Sequence, residues 1–273
     1  REFFPPVREG GGVPSGRMRI TVLGCGTSAG VPQIGCTCPV CRSPDPRNKR
    51  RRCAIYLEAQ GQRILFDTGP DLRQQCLDAG IGAIDALVYT HAHADHVHGL
   101  DDLRSINNII MAPIPTFAHA GVFERIRARF PYAFEGGQSG HGFWRPELAP
   151  HAFERPFAIG PVELIPFRQK HGRGESWGFR IGRFAYSTDT DGLDEHAFAI
   201  LEGIEVWIVD ALREAPHPSH AHLAMTLSWI ERLRPRRAFL THMNHEVDYA
   251  DWAARLPPGV LPAHDGLVVE VEG

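Results

Sequence analysis

Residues 91–96 read His91-Ala92-His93-Ala94-Asp95-His96, which places four potential metal ligands within six positions of a 273-residue sequence. The run directly follows the apolar residues 86–90, which predict a buried strand. Imidazole and carboxylate together suit zinc, manganese or iron, and the alternating spacing lets His91 and His93 face one ion while Asp95 and His96 face a second. A polar loop that is rich in histidine is the alternative, but the position after a strand favours metal binding.

Three further candidate ligands each follow a predicted strand. They are His171 after residues 162–167, Asp189 after residues 183–187 and His242 after residues 238–241. Open α/β sheets place their sites at strand ends, so these side chains are expected to meet on one rim. Together with the run 91–96, they predict a dinuclear metal centre.

The other apolar patterns predict a layered α/β protein. Strands are predicted at 19–23, 54–57, 63–66, 177–181 and 206–209, and helices at about 71–79, 122–129, 193–201 and 221–233. The stretch 134–150 is rich in Gly, His and Pro and indicates a loop or a boundary between halves. We assign residues 18–273 to a single domain and exclude residues 1–17 as a disordered tail, a tag or a mis-called start.

Composition narrows the classes of function. The net charge of −3, from 29 basic and 32 acidic side chains, gives no global bias toward nucleic acid or an anionic membrane. The apolar runs are of strand length and do not approach a membrane span. Residues 1–17 lack the apolar core of a secretory signal, so we expect a cytoplasmic protein without a membrane partner. A disulfide scaffold from its six cysteines would be unusual in such a chain.

The order of these motifs resembles the metallo-β-lactamase superfamily, whose members carry an early Asp, then HxHxDH, a lone His, a bridging Asp and a final His. The resemblance implies an αββα sandwich. It assigns His91, His93 and His171 to one metal, Asp95, His96 and His242 to the other, and Asp189 to both. Asp95 is thereby also counted as catalytic. Asp67 would orient one of the ligands, although a turn residue before Gly69 is its alternative role.

Two adjacent cations predict the chemistry. A water that bridges them loses its proton near neutral pH, and both ions neutralise an anionic substrate oxygen. This favours hydrolysis of phosphate esters, but it also serves lactones, thioesters and β-lactams, so fold and metal do not select the substrate.

A second metal is predicted from Cys36-Thr37-Cys38-Pro39-Val40-Cys41, which offers three thiolates in six residues. Three thiolates and one histidine make a closed tetrahedral zinc site that would hold the long loop 27–52 in place. Reduced thiols without a metal are the alternative. The Cys loop, the HxHxDHxxGL motif followed by DDLR, and LTHxxH resemble one subgroup, which includes the phosphoribosyl cyclic phosphodiesterase of the bacterial carbon–phosphorus lyase pathway. This resemblance implies that Cys36, Cys38, Cys41 and His245 bind a structural zinc.

The same subgroup carries a histidine proposed to protonate the leaving group, and His220 best matches its position. His222 is the competing candidate, and either residue could instead cap the helix predicted at 221–233. His222 and Arg104 are also candidates for substrate binding, and Arg104 could alternatively pair with Asp101 or Asp102. The basic run 47–52 indicates a solvated loop face, or a second-phosphate site if the loop reaches the cleft.

The sequence therefore predicts a phosphodiesterase that acts on a small, cyclic phosphate diester. One alternative is an RNA-processing nuclease like the tRNA 3′-end endonucleases, which typically carry a basic arm that this sequence lacks; nucleic acid is thus not an expected partner. The other is a relative in cofactor biosynthesis that binds or oxidises small molecules. Such relatives have lost active-site ligands, whereas this chain keeps all seven. Relatives are commonly dimers, so a homodimer is expected.

Overall fold

The fold of the chain is taken from a computed structural model, which describes residues 16–137 and 142–272. It contains two seven-stranded sheets in the orders β14-β1-β2-β3-β4-β5-β6 and β13-β12-β11-β10-β9-β8-β7. The strands are β1 (Arg17–Gly24), β2 (Ala54–Ala59), β3 (Gln62–Phe66), β4 (Ala86–Val88), β5 (Ile114–His119), β6 (Leu148–Phe153), β7 (Phe157–Ile159), β8 (Val162–His171), β9 (Gly174–Ile181), β10 (Phe184–Ser187), β11 (Val206–Asp210), β12 (Arg237–Thr241), β13 (Val260–Pro262) and β14 (Val268–Glu272). The α-helices are α1 (Pro39–Arg42), α2 (Leu72–Ala79), α3 (Ala94–Val97), α4 (Leu103–Ile110), α5 (Ala120–Arg129), α6 (Glu195–Leu201), α7 (Leu223–Leu233) and α8 (Tyr249–Arg255).

Period-two alternation in the strands explains the layers. In β2, Ile55 and Leu57 face the core that includes side chains of both sheets, whereas Ala54 and Tyr56 belong to a second core. That second core is completed by apolar residues of α2, α4 and α5, so these helices cover the outer face of the first sheet. Helices α6 and α7 bury Phe198 and Trp229 against the second sheet. The predicted αββα sandwich is confirmed.

The two sheets share one plan. Each has an antiparallel half, β14-β1-β2-β3 in one sheet and β7-β8-β9-β10 in the other, followed by a parallel half, β3-β4-β5-β6 and β10-β11-β12-β13. Parallel neighbours end at the same edge, so the loops after β3, β4, β10, β11 and β12 are brought to shared rims. This arrangement positions the site.

Several element predictions need correction. The sequence did not predict β5, β7, β13, β14, α1, α3, α4 and α8, and β6 begins inside the stretch interpreted as a loop or boundary. β6 is buried only at its two ends and contains Pro150, so its sequence lacks the alternation that marks a strand. Residues 138–141 of that stretch, and residues 1–15 of the predicted tail, lie outside the described residues. β1 begins at Arg17, the last residue assigned to the tail, which pairs with Glu272.

No helix within the described ranges is long and apolar enough to cross a membrane.

Candidate metal centre

The run 91–96 forms the loop after β4 and the short helix α3, and it is held by the loop after β3. The Thr68 amide donates to the His96 carbonyl oxygen at 2.7 Å, and the Gly99 amide donates to the Thr68 carbonyl oxygen at 2.8 Å. Gly69 is needed for this close approach, because a Cβ there would lie 2.2 Å from the Asp95 carbonyl oxygen. The residues around Asp67 thus fix the backbone that carries the ligands.

The first group of convergent ligand atoms comes from His91, His93, His171 and Asp189, and all of them lie within 4.8 Å of one another. His171 Nε2 is 3.1 Å from His93 Nδ1 and 3.7 Å from Asp189 Oδ2. His91 Nε2 is 3.6 Å from the same carboxylate oxygen. Residues from β4, β8 and β10 therefore meet in the arrangement expected from the sequence.

The second group comes from Asp95, His96, His242 and again Asp189. His96 Nε2 lies 3.4 Å from Asp95 Oδ2 and 3.1 Å from Asp189 Oδ1. His242 Nε2 lies 3.7 Å from Asp95 Oδ2 and 3.3 Å from Asp189 Oδ2. Because Asp189 belongs to both groups, its carboxylate lies where a bridging ligand would be needed.

Unpaired buried nitrogens test whether these residues fit metal ions. Among the described residues, Nε2 of His91, His96 and His242 are buried atoms without a hydrogen-bond partner. Leaving a buried polar atom unpaired costs about 1–3 kcal/mol, so several such atoms pointing at shared carboxylates indicate a cation site. The donor set, imidazole and carboxylate, suits zinc, manganese or iron. Both groups therefore fit a divalent metal.

Hydrogen bonds to the opposite ring nitrogens orient the imidazoles. Asp67 Oδ2 lies 2.8 Å from His96 Nδ1, and the Thr90 hydroxyl donates to that carboxylate oxygen at 2.8 Å. The Thr90 hydroxyl oxygen is also 2.9 Å from His91 Nδ1. His171 Nδ1 lies 2.6 Å from the Ser219 carbonyl oxygen. Engaging Nδ1 in this way leaves Nε2 for a metal, as outer partners of metal-binding histidines generally do.

Burial and mutual charge set the protonation of the cluster. Burial lowers the pKa of His91, His93 and His171, and the neutral imidazole is the form that binds a metal. Burial also opposes the charge of Asp189, yet His242 and His96 hold the pKa of that carboxyl well below its usual value. These neighbours therefore favour the ionised form of Asp189, which is the form that binds a cation.

The backbone is strained at three of these residues. Asp67, Asp189 and His242 have φ angles of 64°, 53° and 59°, in the left-handed region that disfavours residues with a Cβ. Such residues cost roughly 1–3 kcal/mol each and concentrate at functional sites. The conformation turns the chain sharply after β3, β10 and β12 and aims these side chains into the cluster.

His220 and Asp210 form a further pair at the edge of the cluster. His220 Nδ1 is 2.9 Å from Asp210 Oδ2, which also accepts the Thr190 amide at 2.8 Å. The His220 ring stacks on that of His242 with 4.3 Å between centroids. Burial opposes the charged form of His220, but Asp210 outweighs it and raises the pKa of the imidazole to about 9.

Asp210 was missed by the sequence analysis. Its position directly after the predicted strand 206–209 is the same signal that identified His171, Asp189 and His242. Asp210 is fully buried, so its carboxylate has the same position at a strand end as the predicted ligands.

The structure separates the two histidine candidates. His220 lines the cleft beside the ligands, whereas His222 stands outside the lining, at the N-cap of α7, and makes no side-chain cap hydrogen bond there. Arg104 is exposed on α4 and also outside the cleft lining, where it donates to the Trp144 carbonyl oxygen at 3.3 Å.

The basic run 47–52 does not line the cleft. Arg47 pairs with Asp45 at 2.7 Å, Arg51 with Asp78 at 2.6 Å and Arg52 with Asp71 at 3.2 Å. Arg50 is buried and donates to the Val247 carbonyl oxygen at 2.8 Å. The run therefore secures its loop, and the condition for a second-phosphate site, that the loop reach the cleft, is not met.

The thiols of Cys36, Cys38 and Cys41 converge around α1, with their sulfurs within 4.8 Å of one another. The Cys38 thiol lies 3.5 Å from the main-chain carbonyl oxygen of His245, so the C-terminal LTHxxH segment does reach the loop. Within the described residues, the His245 imidazole is not part of this ligand group. The loop and its distant partner are thus adjacent, with three of the four expected ligands gathered.

A cleft of about 560 Å³ opens beside the two ligand groups. His220 and six of the seven candidate ligands line it, namely His91, His93, Asp95, His171, Asp189 and His242. The lining also includes His119 at the end of β5, Arg125 in the middle of α5, and Arg173 from the turn between β8 and β9.

Fold and site together define a scaffold whose two groups of His and Asp ligands fit a dinuclear metal site. Comparison with known proteins identifies the family to which this scaffold belongs. The family described as "Beta-lactamase superfamily domain" matches residues 62–243. The crystal structure of a diphosphatase from the PhnP family is 36% identical in sequence and superposes with a TM-score of 0.87, over 94% of this chain and 98% of that one. The chain belongs to the metallo-β-lactamase superfamily and, within it, to the PhnP family.

The curated relatives align with this chain over only part of their own length. An octanoyltransferase of Porphyromonas gingivalis is 35% identical over 253 residues, 92% of this chain and 51% of that protein. Coenzyme PQQ synthesis protein B of Rhodopseudomonas palustris is 35% identical over 124 residues, 41% of this chain and 39% of that one. The chain thus spans about half or less of these curated relatives. The crystal structure of the short form of human tRNase Z, 20% identical with a TM-score of 0.65, shares the fold over 92% of this chain and 98% of that one.

The predicted superfamily is thereby confirmed, and the PhnP-family diphosphatase supports the expected class of metal-dependent hydrolases.

Proposed function

We propose that the chain is a metal-dependent phosphodiesterase that hydrolyses a small, cyclic phosphate diester. The observation that carries the proposal is the pair formed by Asp210 and His220, a fixed proton donor within the cleft that also exposes both ligand groups. The PhnP-family diphosphatase supports the same kind of bond cleavage, because a diphosphate also releases an oxygen leaving group from phosphorus.

The ligand groups give each side chain a role in metal binding. His91, His93 and His171 would hold one divalent ion, and Asp95, His96 and His242 a second, with Asp189 between them. Two such ions supply a water of lowered pKa for attack at phosphorus and neutralise charge on the phosphate oxygens. Asp67 and Thr90 orient the imidazoles that would bind them.

His220 supplies the proton that the leaving group requires. Asp210 accepts the Nδ1 hydrogen of the charged ring, so the second proton sits on Nε2, and this atom lies 4.0 Å from Asp189 Oδ2. When the ester P–O bond breaks, the departing oxygen takes the Nε2 proton and becomes a hydroxyl group of the ring-opened phosphomonoester. The neutral ring then keeps its proton on Nδ1, hydrogen-bonded to Asp210. An alkoxide is a poor leaving group without such a donor.

Turnover of 2′,3′-cyclic nucleotides and of bis-p-nitrophenyl phosphate with manganese or zinc tests the proposal. We expect His220→Ala to lower kcat by about 10²- to 10⁴-fold on the cyclic nucleotides. The loss should be smaller on bis-p-nitrophenyl phosphate, because p-nitrophenolate leaves with little need of a proton. His222→Ala is the matched comparison, and a larger loss in that variant would reassign the donor.

Cleavage of precursor tRNA without turnover of either small diester would contradict the proposal in favour of the nuclease alternative.

The proposal includes a structural zinc bound by Cys36, Cys38 and Cys41, with His245 as the fourth ligand. Its support is the convergence of the three free thiols beside the His245 backbone. Free thiols at this spacing fit a reducing compartment, in line with the expected cytoplasmic location.

A homodimer is also proposed, and light scattering of the purified chain tests it.

A further inference from the structure

The turn after β10 places the Asp189 carboxylate between the two ligand groups, and it does so in a strained backbone conformation. Asp189 has a φ angle of 53°, in the left-handed region, and its side chain is buried. A residue with a Cβ keeps such a conformation only where the surrounding structure holds it. The contacts that hold this turn therefore decide where the carboxylate lies.

Two buried polar side chains of the β8–β9 hairpin supply these contacts. Gln169 and Ser176 lie opposite each other in the strand ladder, and neither is exposed. The Ser176 hydroxyl donates to the Asp189 carbonyl oxygen at 2.7 Å. Gln169 Nε2 donates to the Ser176 hydroxyl oxygen at 3.0 Å and to the Thr188 carbonyl oxygen at 2.9 Å. The hairpin thus binds the main chain of two successive residues of the turn.

A further contact orients the carboxylate itself. The Thr188 hydroxyl donates to Asp189 Oδ1 at 2.6 Å. The same oxygen faces His96 Nε2 at 3.1 Å. Because Gln169 holds the Thr188 main chain, it also fixes the position from which this hydroxyl reaches the carboxylate. Both the main chain and the side chain of Asp189 are therefore held by this network.

Gly178 in β9 provides the space for the Gln169 amide group. A Cβ at Gly178 would lie 2.5 Å from Gln169 Oε1 and 2.3 Å from the Phe167 ring. Packing of the hairpin alone would favour another apolar side chain in place of Gln169, as at Phe167, two residues earlier on the same face of β8. The buried amide is therefore better explained by the turn that it holds.

The same hairpin carries a candidate metal ligand. His171 follows Gln169 by two residues at the end of β8, and it belongs to the first ligand group together with Asp189. The bonds from Gln169 and Ser176 thus fix His171 and Asp189 relative to each other. Within the described part of the chain, neither Gln169 nor Ser176 lines the cleft or belongs to a ligand group, so both act through other residues.

We propose that Gln169 and Ser176 are positioning residues for the metal-bridging carboxylate, because they hold Asp189 in the conformation in which it faces both ligand groups. The inference rests on the two-ion site of the proposed function and adds the residues that set its geometry. Without these bonds the turn can relax toward an ordinary backbone conformation and withdraw the carboxylate. Since Asp189 belongs to both groups, binding of both ions should weaken.

Calorimetric titration of the chelator-treated protein with Mn²⁺ tests the inference. Mn²⁺ is the probe because it suits carboxylate ligands better than thiolates, so the cysteine cluster contributes little. Ser176→Ala and Gln169→Met should each lower the affinity for both ions by about 10- to 100-fold, as the loss of an outer partner of a metal ligand generally does. Ser176→Thr, which keeps the hydroxyl, should retain most of the affinity.

Electron paramagnetic resonance of the Mn²⁺-loaded proteins gives a readout that does not depend on turnover. Two Mn²⁺ ions that share the Asp189 carboxylate should show magnetic coupling in the wild-type protein. At saturating Mn²⁺, Ser176→Ala and Gln169→Met should show weaker coupling, because the shared carboxylate is displaced.

Thr116→Val is the matched control. Thr116 is also buried, and its hydroxyl donates to a main-chain carbonyl oxygen, that of Ile114, at 2.9 Å. It lies in β5 and outside both ligand groups, so Mn²⁺ affinity should be unchanged. The melting temperature of metal-free Ser176→Ala should fall no further than that of Thr116→Val. Ser176→Ala, the smaller change, carries the test if Gln169→Met does not fold.

Two results would overturn the inference and leave the two-ion site intact. One is wild-type Mn²⁺ affinity in both variants, and the other is a metal-free Ser176→Ala protein that does not fold, which would assign the pair to stability alone.

Turnover separates the inference from the proposed function. If the wild-type protein binds two Mn²⁺ ions but hydrolyses neither 2′,3′-cyclic nucleotides nor bis-p-nitrophenyl phosphate, weaker Mn²⁺ binding by the variants would support the positioning role and refute the diesterase. A wild-type protein that binds no Mn²⁺ would refute both.

Discussion

The hydrogen bond between Asp210 and His220 fixes the tautomer and the charge of one imidazole. Asp210 is fully buried and is itself oriented by the Thr190 amide. Because its oxygen faces Nδ1, the exchangeable proton is directed through Nε2 into the cleft. In the proposed reaction, this carboxylate would therefore act through His220 without contacting the substrate.

Replacing this carboxylate changes the pH dependence of the reaction. The proton donor must be charged, so the wild-type rate should hold at neutral pH and fall as pH rises through about 9, the raised pKa of His220. Asp210→Asn removes the negative charge that raises this pKa, and we expect the alkaline fall in kcat to move to lower pH. The measurement is a pH–rate profile of both proteins on the same cyclic nucleotide.

Asp194→Asn is a suitable control, since Asp194 caps α6 by accepting the Ala197 amide at 2.8 Å and lies outside the metal cleft. An unchanged alkaline limb in Asp210→Asn would show that another group sets it.

At the level of single residues, the sequence predicted the candidate ligands, and the family resemblance predicted Asp67 as a support, but neither indicated Thr90. His91 to His96 stand in a dense pattern, and His171, Asp189 and His242 each follow a strand. In the sequence, Thr90 has no feature that distinguishes it from other strand residues. Its hydroxyl group nevertheless contacts both the Asp67 carboxylate and the Nδ1 atom of His91. Such a role depends on which loops are adjacent, and this is decided by tertiary contacts that no local pattern records.

The cysteine loop, residues 27–52, contains little regular secondary structure and therefore needs another source of order. Its one helix, α1, has four residues, and only Val31, Val40 and Cys41 form a small buried cluster, with Cys36 and Cys38 packed against it. So little apolar burial stabilises a loop weakly, and a metal would replace the missing core.

We expect Cys38→Ser to remove one zinc ion per chain and to lower the melting temperature more than it lowers kcat. Elemental analysis, thermal unfolding and turnover measured on one preparation test this. Cys76→Ser is the matched control, because Cys76 lies in α2, away from the cluster, and burial raises the pKa of its thiol to about 12. Unchanged zinc content in Cys38→Ser would contradict the structural site.

Element predictions succeeded where periodicity was strong. The helix predicted at about 71–79 is α2, and its end is marked by Gly80 in the left-handed conformation. β6 could not be predicted, because three of its six residues are exposed. Its strand conformation comes from pairing with β5, a partner that lies far away in the sequence.

At the scale of the whole molecule, the ligands come from both sheets. The run 91–96 follows a strand of the first sheet, whereas His171, Asp189 and His242 belong to the second. Metal ions at this place would therefore add a connection between the two halves of the sandwich, which already meet through apolar contacts and through hydrogen bonds such as that from the Trp177 amide to the Thr90 carbonyl oxygen at 3.0 Å.

Removal of metal by a chelator should lower the melting temperature by roughly 5–10 °C, since ions that bind only the folded state stabilise it. Adding back zinc or manganese should restore it. Asp189→Ala isolates the contribution of the dinuclear site, because only the cysteine site would then remain to respond to chelation. An identical drop in that variant would assign the whole effect to the cysteine loop.

The order of strands within the sheets could not be read from the sequence. The family resemblance implied the αββα layers, but the pairing of β14 with β1 joins the two ends of the described chain, and no local signal indicates it. The nearness of His245 to Cys38, 207 positions apart, has the same origin.

The left-handed backbone at Asp67, Asp189 and His242 bears on any attempt to improve this protein by heat selection. Glycine adopts those angles without strain, so a library screened for survival at high temperature in a chelator, where no bound ion stabilises the ligands, would be drawn toward glycine at these three positions. Each such gain would delete a ligand or its support. Variants selected in this way would keep the αββα sandwich and lose the candidate metal centre. A screen on this scaffold must therefore measure turnover together with heat resistance.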